Sequence, residues 1–169
     1  GFVGGARAVR PAVTVLQAYL GNFEDVAAAK ENALAQIRRG ADIILHNADA
    51  ASFGIFQAAR ESPGVLALGA NRDQNDVAPD VIIASATLDV PQALLLVARE
   101  VRDGRFRPGV RYFGIKDGVV DLAVNPALSG RVTPELRARI AAARDSIMAG
   151  TLAVPRVECV PDSVPVVGR

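Results

Sequence analysis

The sequence is short of the residues that most often carry chemistry. It has one cysteine, Cys159, and one histidine, His46, in 169 residues. A lone cysteine forms no internal disulfide, so cysteine usage leaves the compartment open. The usual metal-ligand spacings are absent, and any Ser-His-Asp arrangement would have to be assembled around His46 alone. Tryptophan is missing and aromatics make up 5% of the chain, which argues against base-stacking platforms for single-stranded nucleic acid. Neither charge dominates: 19 basic residues against 18 acidic ones leave a net charge of +1. That balance gives no reason to expect nucleic acid or an anionic membrane as partner. The longest apolar runs, such as Ala93 to Ala98, fall far short of the roughly 20 residues that span a bilayer. No signal peptide is visible. The opening Gly1-Phe2-Val3-Gly4-Gly5 reads as the middle of a buried strand and its turn, so a chain with its front missing is expected.

What is present is the composition of a folded domain, with 50% hydrophobic and 22% charged residues. Strand and helix patterns alternate, which predicts an α/β fold with a mainly parallel sheet flanked by helices. Strands are expected at Val13 to Tyr19, Asp42 to His46, Val65 to Gly69 and Val81 to Ser85. Helices are expected from the caps at Asn22 to Asp25 to about Arg39, from Ser52 to the Ser62-Pro63-Gly64 break, and from Asp89 to Asp103. Gly40 stands where a left-handed residue ends a helix. The pattern then changes. Tyr112 to Ile115 and Val119 to Ala123 flank Lys116-Asp117-Gly118, a hairpin signal. Thr133-Pro134-Glu135 opens a last helix that Gly150 closes. Three prolines after Thr151 predict an extended or poorly ordered tail over 151–169.

Several segments, taken in order, resemble the basic membrane protein family of ABC transporter substrate-binding lipoproteins, which includes purine nucleoside receptors. They are GFVGG at the start, Tyr19 to Phe23, QIRRGAD at Gln36 to Asp42 and FGIFQAA at Phe53 to Ala59. Asp73-Gln74 with Ala78-Pro79-Asp80, FGIKDGV at Phe113 to Val119, and Asn125-Pro126 complete the set. The resemblance implies a type I periplasmic-binding fold, two α/β lobes hinged around a ligand. It also implies a C-terminal portion that lacks the first lobe. Residues 1–88 would form the second lobe, and 89–150 a crossover helix, hairpin and last helix returning between the lobes. The family places about four helical turns between the GFVGG strand and the strand matching Val13 to Tyr19, whereas only Ala6 to Ala12 intervene here. Seven residues do not carry a parallel crossover comfortably, since a dozen or more are needed.

Open α/β sheets bind ligands beyond the C-terminal ends of their strands. The candidate ligand residues are therefore Gly5 after the first expected strand, Asn47 and Asp49 after the strand ending at His46, and Asn71 and Asp73 after the strand ending at Gly69. Asn and Asp also serve as ordinary turn and cap residues, which is the competing reading for each. The resemblance places these loops at the cleft. The family usually carries an acid at the position of Asn71, gripping nucleoside hydroxyls, and a lysine at the position of Leu88. His46 reads as a satisfied residue rather than a base, because a general base needs a partner to orient it. Gly1 to Gly5 does not fit the dinucleotide fingerprint, and no cofactor is expected.

These readings converge on a non-enzymatic solute receptor of an ABC importer, holding a nucleoside or related small polar solute. Its expected partner is a membrane permease. Its expected place is the periplasm or outer face of the cell membrane, lipid-anchored in the full-length protein. The alternatives are a ligand-sensing regulator of the same fold and, third, a doubly wound enzyme.

Overall fold

The computed structural model describes residues 1–154, so Cys159 and the prolines of the expected tail lie outside the described residues. The helices are α1 (Phe2–Val9), α2 (Val26–Arg38), α3 (Ser52–Arg60), α4 (Val90–Arg102) and α5 (Pro134–Ala149). The strands are β1 (Ile43–Leu45), β2 (Leu66–Asn71), β3 (Ile82–Leu88) and β4 (Val120–Val124). They form one sheet in the order β1-β2-β3-β4, with β1, β2 and β3 parallel and β4 antiparallel to β3. The expected α/β architecture with a mainly parallel sheet is therefore the observed one.

Helix ends follow the local chemistry. The Asp25 carboxylate accepts from the Ala28 N–H and starts α2, and Asp89 does the same for Gln92 at α4. Thr133 caps α5 through the Leu136 N–H, and Gly150 ends it in the left-handed region at φ +77°. Ser52, a residue type that commonly caps a helix, does not cap α3. A 3-10 turn over Asp49–Ala51 leads straight into α3, and Ser52 is buried as its first residue.

One core joins α2, α3 and the parallel strands. Ala29 and Ala33 of α2 meet Ile55, Phe56, Ala58 and Ala59 of α3 over Ile44, Ala67 and Ile82 of the sheet. Alanine dominates this contact because the helices approach closely. Phe56 is the largest side chain buried in it. By contrast α1, α4 and α5 bury no residue. On α4 the apolar residues Val90, Leu94, Leu95 and Val101 lie in solvent.

Three sequence expectations are corrected. Gly1 to Gly5 is no strand, because Phe2 to Gly5 form the first half of α1. Val13 to Tyr19 carries no strand assignment. A hollow of about 900 Å³ lies between this segment and β1, lined by Val15 and Leu16 on one side and Ile43 and Leu45 on the other. The reason is the short linker: with no crossover long enough to deliver two parallel strands, residues 2–9 satisfy their backbone within a helix. The expected hairpin is also absent. Ile115–Asp117 forms a 3-10 turn ended by Gly118 at φ +69°, and β4 pairs with β3 instead of with residues 112–115. The Asp-Gly signal located a turn correctly, but the sheet already offered β4 the edge of β3.

Candidate functional site

The parallel strands β1 and β2 point their C-terminal ends to the same edge of the sheet. Beyond that edge, the turn Asn47 to Asp49 and the turn Asn71 to Gln74 lie side by side. The Asn71 Nδ2 donates to Asn47 Oδ1 at 3.4 Å, tying the two turns at their exposed rim. A cavity of about 280 Å³ opens between them, lined by His46, Asp49, Ser52, Phe53, Asn71 and Gln74, with Ala50, Ala70 and Arg72. The β2–β3 register sets Asn71 opposite Thr87, so Leu88, the last residue of β3, lies at this same edge and is exposed.

Backbone conformation marks two of these residues. Asp49 at φ +47° and Asn71 at φ +67° are the non-glycine residues with positive φ among the described residues. Asp and Asn enter this region more readily than other side chains, yet it still carries a cost for an L-residue. Such strain gathers at functional sites, where the surroundings hold it in place.

The floor of the cavity is a buried polar network with no orphaned side-chain atom among the described residues. His46 is 7% exposed and packs edge-on against Phe56, with ring centroids 5.3 Å apart. Its Nε2 lies 3.1 Å from Gln74 Oε1. That oxygen also accepts from the Ala70 N–H at 2.9 Å, which fixes the orientation of the amide. The histidine must therefore donate from Nε2, and its Nδ1 is left to accept from the Ala48 N–H at 3.4 Å. Burial lowers the imidazole pKa from its ordinary value, partly offset by the hydrogen bond to Gln74. The network continues under β2. The Gln74 N–H donates to Ser85 Oγ, which donates to Asn75 Oδ1, and Asn75 Nδ2 reaches the Ala123 carbonyl. Gly69 makes room for this: a methyl group there would stand 2.5 Å from Ser85 Oγ.

Of the residues expected from sequence, the structure brings Asn47, Asp49 and Asn71 together at one edge, all exposed. Asp73 is on the same turn, but its carboxylate accepts from the Asn75 N–H, the turn role that competed with ligand contact. Gly5 is corrected outright. It lies within α1, away from the cavity lining, because the strand whose end it was to mark does not form. Gln74, Ser52 and Phe53 are not among the ligand candidates, although Gln74 and Phe53 fall in segments that carry the family resemblance. Nothing in their spacing singles them out; only the fold places Gln74 beneath His46.

The family model described as ABC transporter substrate-binding protein PnrA-like matches residues 1–156. The chain belongs to this PnrA-like family. Basic membrane protein A of Borreliella afzelii is 31% identical over 131 residues, covering 76% of this chain and 40% of that protein. The ABC transporter nucleoside-binding protein BmpA of Lactococcus lactis subsp. cremoris is 27% identical, covering 92% of this chain and 48% of that protein. Among solved structures, a transcriptional activator of the comK gene from Bacillus halodurans superposes with TM-score 0.77 at 24% identity, covering 89% of this chain and 52% of that one. An ABC transporter solute-binding protein from Aeropyrum pernix K1 gives TM-score 0.68 at 19% identity, covering 88% and 50%. These two likenesses establish the fold. The PnrA-like chain described here spans about half the length of the relatives it matches.

Proposed function

We propose that this chain supplies one wall of a solute-binding cleft in the extracytoplasmic receptor of an ABC importer, and that the solute is a nucleoside or a related small polar molecule. The observation that carries this reading is the convergence of Asn47, Asp49 and Asn71 at one sheet edge, two of them in a strained conformation. The Asp49 carboxylate accepts from ligand hydroxyls. The Asn71 amide both donates and accepts, and it does so without the charge an acid would bring. Phe53, half in solvent at 48% exposure, offers an aromatic face on the cavity rim for a planar base. The printed name of the Lactococcus relative, a nucleoside-binding protein, supports the ligand class.

The reading is of capture rather than catalysis. Both nitrogens of His46 are engaged by Gln74 and Ala48, which leaves the ring no free lone pair for a substrate proton. A cavity of this size takes only part of a nucleoside; the remaining wall belongs to a first lobe closing over it. The exposed apolar residues Leu94, Leu95 and Val101 of α4 form the surface such a lobe covers in this reading. Delivery to a membrane permease, and a lipid anchor holding the receptor outside the cell, complete the proposal.

Thermal-shift measurements on the full-length protein test it, with nucleosides, free bases and pentoses as ligands. A ligand at a hundred times its Kd stabilises the folded state by about 2.7 kcal/mol. The expected outcome is a clear rise in Tm with at least one nucleoside, reduced by changes at Asp49 or Asn71. Absence of any shift across the whole panel removes the ligand assignment.

A further inference from the structure

His46 lies between the two turns that carry the site, and each of its ring nitrogens serves a different one. Nδ1 faces the N–H of Ala48, inside the Asn47–Asp49 turn. Nε2 faces Gln74, whose side-chain oxygen also receives the Ala70 N–H at the end of β2. We propose that His46 is the positioning residue of this site: as a neutral imidazole it fastens the Asn47–Asp49 turn to the Ala70–Gln74 turn, and its protonation releases the first of them, so that solute capture fails in acid. This rests on the solute-binding reading for its functional consequence, but the fastening itself does not.

The chemistry is one of donor count. A neutral ring with its proton on Nε2 donates to Gln74 and accepts from Ala48. The imidazolium carries a second N–H on Nδ1, which then confronts the Ala48 N–H, donor against donor. The ring cannot turn to escape, because Gln74 Oε1 is held by Ala70 and Phe56 closes the ring edge. The turn that would be loosened contains Asp49 in its left-handed conformation, and is left with the Asn71–Asn47 bond and the Ala51 N–H to Ala48 carbonyl bond as its remaining ties.

The charged groups around the ring do not oppose this. Asp49 and Arg72 line the cavity above it. Arg10 and Asp42 line the larger hollow on its other side. Burial lowers the His46 pKa, with the Gln74 bond working against it. No carboxylate bonds the ring, and the buried neutral form is satisfied at both nitrogens.

The test is an NMR titration of the full-length protein, following the His46 ring and the backbone amides of Asn47, Ala48 and Asp49. Binding of adenosine, guanosine, cytidine and uridine is measured at pH 7.5 and at an acidic pH below the His46 midpoint. The expected result is that the three amides shift with the same midpoint as the ring, and that the Ala48 amide, the one bonded to Nδ1, loses exchange protection. Affinity for whichever nucleoside binds falls roughly tenfold or more, as leaving a buried donor unmatched implies. Two variants separate positioning from bulk. His46→Asn presents its side-chain oxygen to the Ala48 N–H as an Asx turn without titrating, so the turn stays protected and the acid step disappears. His46→Phe keeps an aromatic ring against Phe56 but loses both bonds, so the turn is unprotected at every pH. Amides that ignore the His46 titration overturn the proposal, as does an acid step that survives in His46→Asn. If a variant fails to fold, the titration of the unaltered protein decides alone. If no nucleoside binds at either pH while the turn still follows His46, the ligand reading falls and the positioning role stands.

Discussion

Asp49 and Asn71 stand across one cavity from each other with the same uncommon backbone, at φ +47° and φ +67°. This allows a clean separation of folding from binding. Replacing Asn71 by glycine relieves the left-handed strain but adds backbone freedom to the unfolded chain, two effects of about 0.5–1 kcal/mol that oppose each other. Asn71→Gly and Asp49→Gly are therefore expected to leave Tm nearly unchanged in the absence of ligand, while the thermal shift given by a bound solute shrinks. Asn71→Ala is the poorer variant, because alanine has no relief at positive φ and loses roughly 1 kcal/mol in folding as well.

The closest approach of α2 and α3 is set by Gly54. A methyl group on it would overlap the Val26 carbonyl oxygen and stand 2.8 Å from the Lys30 nitrogen, both backbone atoms of α2. Backbone cannot swing aside as a side chain can, so the helices must separate and the contacts of Ala29 and Ala33 loosen. Gly54→Ala is expected to cost about 1–3 kcal/mol or more in chemical denaturation. At an exposed helix position the same change would gain up to about 1 kcal/mol, so the sign of the measured effect tests the packing directly.

Ser85 holds the floor of the cavity together. Its hydroxyl receives the Gln74 N–H and donates to Asn75, and Ser85 itself is fully buried. Ser85→Ala removes both bonds and leaves a buried donor and acceptor unmatched, a loss of about 1–3 kcal/mol. The Gln74 turn then loses its bond to β3 and keeps those of the Gln74 side chain to Ala70 and His46. Amide exchange should rise at Gln74 and Asn75 before it rises in the Phe56 core.

Local chemistry made much of this fold legible before the structure. Asp25, Asp89 and Thr133 announce helix starts because a short acceptor side chain satisfies N–H groups that nothing else will. The shared sheet edge of Asn71 and Asp49 followed from a rule about strand ends that needs only the parallel order of β1 and β2. What failed depended mostly on packing beyond the local sequence, as with Ser52, which the fold buries as the first residue of α3. Val13 to Tyr19 has strand composition, but a strand exists only where another offers a ladder, and across the hollow none is within reach. Gly5 failed with it, since a strand-end glycine loses its place when the strand becomes a helix. The role of Gln74 escaped for the same reason: it depends on His46, 28 residues away in sequence.

Acid should weaken the fold in two separate windows. His46 has a folded pKa below its ordinary value of about 6.5, so in that window the unfolded chain binds more protons than the folded one. Its contribution is whole above about pH 6.5, declines as the pH falls toward the folded pKa, and then levels off. Asp80 belongs to a lower window. The Arg60 guanidinium grips both its oxygens, at 2.7 to 2.9 Å, and draws its carboxyl below the ordinary value of 3.8. The pair fastens α3 to the residues before β3, and its stabilisation is present above pH 3.8 and fades as the pH falls through the lowered pKa. Both side chains are more than a third exposed, so water and salt limit the pair to under about 1 kcal/mol. Denaturation measured from pH 8 to pH 2 should then show a first loss that His46→Asn removes and a second, smaller and salt-sensitive one that Asp80→Asn reduces, since the Asp103 and Glu135 carboxyls are lowered in the same window. The two sites share no partner, so the two effects should add in the double variant. A first loss that persists in His46→Asn would assign the upper window to some other group.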